Sequence, residues 1–314
     1  MAAASIRPRG LRIHAPAIPY FDAVRRAGSI REAGRRLNVA SSAVNRQILR
    51  LEEELGAKLF DRLPGGLRLT AAGEVLAQHV GTVLRDAERT RGELDALHGL
   101  RTGHVELVTL EGLCHRVVPE ALAALGARQP RVTVSTGILG SAEIPDAILS
   151  GDAHLGLAFE VRRRPGLRQI AVARVGLGAV LPPDSPLARR AALGLADCDG
   201  MPLILPRGNF ANREQLDALL QGREGVRYEA GSVELMKQMV LRGLGIAFMT
   251  RVGLEAELEA GRLAHVPLRQ GRAPIHSDLG LYARAEAVLP AAASGFAQHL
   301  SEAMGRLHGP THSP

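Results

Sequence analysis

The 314-residue chain has no tryptophan, and aromatic residues make up only 3% of it. Stacking platforms for single-stranded nucleic acid are built from such rings, so their scarcity excludes that mode of binding and leaves duplex nucleic acid open. Cysteine is as scarce. Cys114 and Cys198 stand far apart, with no Cys-x-x-Cys and no Cys/His cluster, which excludes a zinc site and a disulfide framework and fits a reducing cytoplasm. No uncharged apolar run approaches the roughly 18 residues of a membrane span, and the N-terminus lacks a signal-peptide core. A soluble, unsecreted chain with no membrane partner is expected. A Gly-x-Ser-x-Gly elbow, a Walker loop and a His-Glu-x-x-His pair are also missing, so neither catalysis nor a cofactor is indicated.

What is present is an ordinary globular composition, 46% hydrophobic and 23% charged, with length for two or three domains. Net charge is +7 and uneven: residues 1–69 hold 13 Arg/Lys against 6 Asp/Glu, residues 70–100 hold 3 against 5, and residues 101–314 hold 23 against 21. Positive charge gathered in one segment is the footprint of a polyanion partner.

That segment contains Ser29 to Leu55, two helical patterns meeting at a short turn. Ile30, Ala33, Gly34 and Leu37 form the first stripe, the break falls at Asn38-Val39-Ala40, and Val44, Ile48, Leu51 and Leu55 form the second. Opposite the second stripe lie Ser42, Arg46, Arg50 and Glu53, with Ser41 and Asn45 on a flank. Serine, asparagine and arginine read base edges and phosphates, so this is a helix-turn-helix suited to a major groove; a solvated face of a plain helix pair is the other reading. A helix near Ile18–Ala27 precedes it, Gly28 ends that helix, and Ser29 caps the next. After Gly56, the run Arg62-Leu63-Pro64-Gly65-Gly66-Leu67-Arg68-Leu69 is written as a β-wing with a turn-forming centre, or as an ordinary surface hairpin. The candidate DNA contacts are Ser29, Arg31, Ser41, Ser42, Asn45, Arg46, Arg50, Arg62 and Arg68.

Thr70 is placed to cap a long helix. In it Leu76, Val80, Val83, Ala87, Thr90, Leu94 and Leu97 alternate at spacings of four and three, the pattern of a dimerising seam weakened at its centre, or of one helix burying a stripe on its own domain. The expected parts are thus an arm over residues 1–17, a winged helix-turn-helix over 18–69, a linker and dimerisation helix over 70–100, a C-terminal domain over 101–307 and a tail over 308–314.

From Gly103 strands and helices alternate. Strands are read at Val105–Val108, Val132–Val134 and Leu155–Phe159, then in a second series at Gly178–Leu181, Leu203–Leu205, Val226–Ala230 and Gly245–Met249. A further strand near Leu279–Tyr282 and a final helix return to the first series. Two α/β lobes of this kind enclose a cleft at the carboxyl ends of their strands. Gly243-Leu244-Gly245 follows a helix and precedes a strand, the reverse of a dinucleotide loop. Cys114 reads as a structural thiol rather than a redox trigger.

At Ser29 to Gly73 the chain closely resembles the LysR-type transcriptional regulators. The matching residues include Phe21-x-x-Val24, Gly28-Ser29, Ala33, Leu37-x-Val39, Ala43-Val44-x-Arg46-Gln47-Ile48, Leu51-Glu52-Glu53-Glu54-Leu55-Gly56-x-x-Leu59-Phe60-x-Arg62 and Leu69-Thr70-x-Ala72-Gly73. The resemblance implies an all-α winged helix-turn-helix, a long linker helix that dimerises, and a two-lobed α/β domain similar to periplasmic binding proteins. It implies as partners a double-stranded DNA operator, a small-molecule effector, a second copy of the chain in a dimer or tetramer, and RNA polymerase. The family's common Ser-Gln-Pro-Ala-(Leu/Val)-Ser-Arg-Gln-Ile becomes Ala40-Ser41-Ser42-Ala43-Val44-Asn45-Arg46-Gln47-Ile48 here, so the operator does not follow from those of relatives.

The strand-end rule and the resemblance together nominate Thr109, Leu110, Glu111, Gly112, Thr136, Gly137, Arg207, Asn209, Gly231 and Ser232 as effector contacts. Backbone amides at helix starts among them suit an anionic effector, although loops and caps call for the same residue types. The competing class is a solute-binding protein or α/β enzyme with an accessory helix-turn-helix.

Overall fold

The computed structural model describes residues 17–64, 66–97, 102–208, 210–220, 225–285 and 287–307. The chain divides into two compact units, Met1–Glu88 and Arg89–Pro314. The expected tail, Asn209 and all of the expected arm except Ala17, which opens the first helix, lie outside the described residues.

In the first unit α1 (Ala17–Ala27) buries Ile18, Phe21 and Val24. Helix α2 (Ile30–Leu37) starts where the Ser29 hydroxyl accepts the Glu32 N–H and stops at Asn38, whose left-handed φ of 54° lets its N–H reach the last carbonyls. Helix α3 (Ser41–Leu55) buries Val44, Ile48, Leu51 and Glu52 and ends at Gly56, φ 66°. The wing is an antiparallel pair, β1 (Phe60–Leu63) and β2 (Gly66–Leu69), with Asp61 opposite Arg68 and Arg62 opposite Leu67. The Gly28 carbonyl accepts the Leu67 N–H at 2.8 Å, which ties the α1–α2 corner to the wing. The Phe21 and Phe60 rings meet at 5.3 Å within this core.

Thr70 caps α4 (Ala71–Leu97) through the Gly73 N–H at 3.0 Å. Leu76 and Val80 are 7% and 1% exposed, inside the core of the reader itself, and Val83 packs against it. These three positions of the expected seam are therefore occupied within the domain, because Leu59, Phe60 and α1 need a cover. Ala87 is exposed, and the side chains of Leu94 and Leu97 lie outside the described part. The compact unit accordingly reaches into α4 beyond the boundary expected at residue 69.

The second unit has two lobes that share one long strand. Lobe I contains β3 (Thr102–Thr109), α5 (Val117–Arg128), β4 (Arg131–Ile138), α6 (Ile144–Ser150), β5 (Leu155–Phe159) and the first part of β6 (Leu167–Leu181). Lobe II contains the rest of β6, β7 (Leu203–Pro206), α7 (Arg213–Leu220), β8 (Val226–Ala230), α8 (Val233–Leu241), β9 (Ile246–Thr250), the short α9 (Glu255–Glu259) and β10 (Ala264–Pro267). A two-residue-armed hairpin, β11 (Arg269–Gln270) and β12 (Ala273–Pro274), leads to β13 (His276–Arg284), and α10 (Ala291–Gly305) closes lobe I.

The strand path is β4-β3-β5-β13-β6-β9-β7-β8, with β10 added to β6. Strand β3 runs parallel to β4 and β5, and β7 parallel to β8 and β9. Strand β6 pairs with β13 as far as Gly176 and with β9 from Leu177 onward. The chain crosses back beside it, where the Leu177 N–H donates to the Ile275 carbonyl at 2.9 Å. Both crossings lie side by side, the arrangement of a hinge. Each sheet half is covered on both faces, lobe I by α5 and α10 on one side and α6 on the other, lobe II by clusters around Leu216 and around Met236. The return of the last strand and helix to the first lobe agrees with the sequence. The ten residues of β6 before Leu177 do not, because Arg168, Gln169 and Arg174 hide their alternation.

Candidate DNA-reading face and ligand cleft

On the first unit, Ser29 and Arg31 from the start of α2, Ser41, Ser42 and Asn45 from the start of α3, and Arg62 from the wing line one open concavity. Helix α3 begins at Ala40 without a side-chain cap, and Ser41 and Ser42 are exposed. Free N–H groups and the positive end of the helix dipole therefore face outward, as a phosphate requires.

Charge on this unit is sorted by position. Arg25 and Arg26 are paired with Asp22, Arg35 and Arg36 with Glu32, Arg50 with Glu54 at 3.2 Å and Lys58 with Glu52 at 3.0 Å. Arg31, Arg46, Arg62 and Arg68 are exposed, and among the described residues none of them has a carboxylate partner. Arg46, Arg50 and Arg68 stand outside the concavity itself. Arg50 is among the contacts expected from the sequence, yet its i,i+4 spacing to Glu54 is the signal for this pairing.

The reader is held by Glu52, a residue of the matching pattern that is not among the expected DNA contacts. Its buried carboxylate accepts the Leu59 N–H at 2.8 Å and the Lys58 ammonium, joining the end of α3 to the entry of the wing. Burial alone would raise its pKa, yet these hydrogen bonds and the Lys58 charge outweigh burial and hold it below the usual carboxylate value. Gly73 completes the joint. A Cβ there would lie 2.2 Å from the Leu59 carbonyl oxygen.

In the second unit a cleft of about 540 Å³ lies between the lobes. Leu110, Glu111, Gly112, Gly231 and Ser232 line it as the sequence expects. Thr109 does not; it is fully buried, with its hydroxyl unpartnered. Thr136 and Gly137 are exposed and away from the cleft, because β4 continues to Ile138 and the lining starts there. Arg207 is exposed and does not line the cleft either. Phe159 and Thr250 do line it, and they end β5 and β9, so the strand-end rule carried through every strand would have found them. Ser277 lies on the antiparallel β13, where that rule gives no signal.

Three residues of the segment after β3 reach lobe II. Glu111 accepts the Ser232 hydroxyl at 2.9 Å and the Val233 N–H at 2.7 Å, His115 lies 3.8 Å from Glu234, and Arg116 bonds Glu259 at 2.9 Å. Gly112 and Gly253 bring the backbones together, since a Cβ on Gly253 would stand 3.0 Å from the Gly112 Cα. The helix start that the sequence offered to an anionic effector is thus already occupied by a carboxylate of the chain. Burial, and then the Glu111 charge, pushes the Cys114 thiol up, which disfavours the reactive thiolate. Among the described residues no helix is long and apolar enough to cross a membrane, and no cluster of His, Cys, Asp and Glu could hold a metal.

Two family models match the chain: the bacterial regulatory helix-turn-helix protein of the lysR family over residues 17–74, and the LysR substrate binding domain over residues 98–305. The transcriptional regulator CbbR of Xanthobacter flavus is 30% identical over 278 residues, 84% of this chain and 80% of that protein. BbuR of Bordetella bronchiseptica is 28% identical over 245 residues, 76% and 75% of the two chains. In fold the chain is similar to full-length OxyR C199D of Pseudomonas aeruginosa, with a TM-score of 0.72 at 17% identity over 92% of this chain and 93% of that one. It is also similar to CbnR complexed with its target DNA, with a TM-score of 0.59 at 23% identity over 91% and 98%. Matched over both its units, the chain belongs to the LysR family of DNA-binding transcriptional regulators.

Proposed function

We propose that this regulator reads a duplex operator with Ser41, Ser42, Asn45 and Arg46 in the major groove and Arg62 and Arg68 along the flanking phosphates, with Ser29 and Arg31 at the backbone beside α2. The observation that carries this reading is the sorting of charge. Among the described residues Arg31, Arg46, Arg62 and Arg68 have no carboxylate partner, whereas Arg25, Arg26, Arg35, Arg36 and Arg50 are each paired with a neighbouring carboxylate. Uncompensated surface arginine is what releases counterions from DNA. Two copies reading two half-sites would supply operator affinity, and α4 past Val83 offers the remaining part of the expected seam. A small molecule in the cleft would bias operator binding by its unequal affinity for two lobe arrangements. The activity would be regulatory and not catalytic, exercised in the cytoplasm on promoters where RNA polymerase is the further partner.

The test is binding-site selection with the full chain, wild type against Asn45→Ala and Arg68→Ala, across a salt series. Asn45→Ala should relax preference at one position of the site, by about 1–3 kcal/mol per lost bidentate contact. Arg68→Ala should weaken all sequences alike and lower the salt slope by about 1. Unchanged motif and affinity in both variants would refute this assignment.

A further inference from the structure

The lining of the cleft is apolar and lacks a cation. Its described residues include no Arg, Lys or His, and the charged ones are Glu111 and Glu143. Both carboxylates already accept backbone N–H groups, Glu111 from Val233 and Glu143 from Gly140 at 2.9 Å. The buried cation of α8, Lys237, is paired with Glu234 and Glu257 and does not line the cleft. A carboxylate or phosphate entering here would lose its hydration without meeting a counter-charge, and it would face two like charges.

Against this, three of the six phenylalanines of an aromatic-poor chain, Phe159, Phe210 and Phe248, gather at the cleft. Ser277 lines it as well. The residue is 1% exposed, and its hydroxyl has no hydrogen-bond partner. A buried, unpartnered hydroxyl is a costly feature for a native protein to keep, and a ligand polar group would satisfy it. The volume fits one small organic molecule.

We infer that the cleft takes an uncharged, predominantly apolar small molecule whose hydroxyl or carbonyl bonds Ser277, and that it excludes carboxylates. This inference rests on the cleft being the effector site. Both can be tested separately with the full chain by saturation-transfer NMR, using toluene, benzyl alcohol, benzylamine and benzoate as probes. Two variants obstruct the cleft from opposite lobes at positions that are not fully buried, Ala211→Trp and Ile138→Trp, and a third, Ser277→Ala, removes the hydroxyl.

The expected result is that toluene and benzyl alcohol bind and benzoate and benzylamine do not, and that either tryptophan abolishes binding. Ser277→Ala should weaken benzyl alcohol about fivefold and leave toluene unchanged. Benzoate or benzylamine binding as well as benzyl alcohol, with loss in the tryptophan variants, would overturn the ligand class while leaving the cleft as a ligand site. Equal loss of toluene and benzyl alcohol in Ser277→Ala would overturn the role of its hydroxyl. If no probe binds, or binding survives both tryptophans, the effector-site reading itself fails.

Discussion

Glu52 in the reader and Glu111 beside the cleft use the same device, a carboxylate that accepts a backbone N–H across a joint, and they differ in what the joint connects. Glu52 reaches Leu59, seven residues on, within one helix-and-wing corner. Glu111 reaches Ser232 and Val233, more than a hundred residues away and in the other lobe. Locally linked parts stay together when such a bond opens, because the chain and the core around Phe21 and Phe60 hold them. The lobes are joined by the two hinge crossings, a few polar contacts and Val252, which packs into the lobe I core, so their joint is small enough to open without unfolding either lobe. Charge follows the same division. Among the described residues the reader leaves Arg31, Arg46, Arg62 and Arg68 without a carboxylate partner, whereas the two charged residues that line the cleft, Glu111 and Glu143, are engaged by backbone N–H groups of the chain itself.

Damage to the fixed joint should have the largest consequence. Gly73→Ala drives a Cβ to within 2.2 Å of the Leu59 carbonyl oxygen, a backbone atom that cannot yield cheaply. The reader should lose at least about 3 kcal/mol of stability and its DNA affinity with it. Calorimetry should show one transition fall and the transition of the second unit unmoved. A common shift of both would show that the units melt as one.

A smaller effect is expected at Glu52, and it depends on pH. Because the folded-state pKa lies below the ordinary value of 4.5, the carboxylate contributes stability above 4.5 that is lost as pH falls through the lowered value. Glu52→Ala should cost the reader about 1–3 kcal/mol at neutral pH, since it leaves the Leu59 N–H buried without an acceptor. It should also flatten the acid limb of a stability profile measured by chemical denaturation. A variant whose acid limb matches wild type would remove Glu52 from this role.

Glu111→Ala should have a modest effect on stability, about 1 kcal/mol or less, because His115 and Arg116 still bridge the lobes. Its effect on shape should be larger. Small-angle scattering should report a wider second unit in the variant. A cooperative loss of fold would instead make Glu111 a core support and end the contrast with Glu52.

The features legible in the sequence were those fixed by local chemistry. Gly56 and Asn38 stop helices because of their own backbone freedom, Ser29 and Thr70 cap because of their own hydroxyls, and the wing is written in its turn. What stayed hidden depends on tertiary partners. The stripe through Leu76, Val80 and Val83 has the period of a seam, and period alone cannot say whether another chain or the helix's own domain covers it. The end of β4 was misjudged because an edge strand need not alternate, which displaced the cleft lining from Thr136 and Gly137 to Ile138. The occupation of the α8 start by Glu111 could not be read at all, since it joins residues from two lobes.

The finest test of the comparison lies on one face of α3, between Arg46 and Arg50. Both are exposed arginines one turn apart, and both are expected from the sequence to contact DNA. The structure separates them, because Glu54 holds Arg50 at 3.2 Å while Arg46 has no carboxylate partner. To contact a phosphate, Arg50 must first leave Glu54, and its removal also frees that carboxylate to repel DNA. An exposed pair of this kind is worth only about 0.3–0.5 kcal/mol, so the difference between the two positions is small but measurable. Arg46→Ala should lower operator affinity about tenfold or more, and Arg50→Ala by only a few-fold. The double variant Arg50→Ala with Glu54→Ala should recover part of that few-fold loss. If Arg50→Ala proves the more damaging of the two single variants, internal pairing does not decide which arginines read DNA.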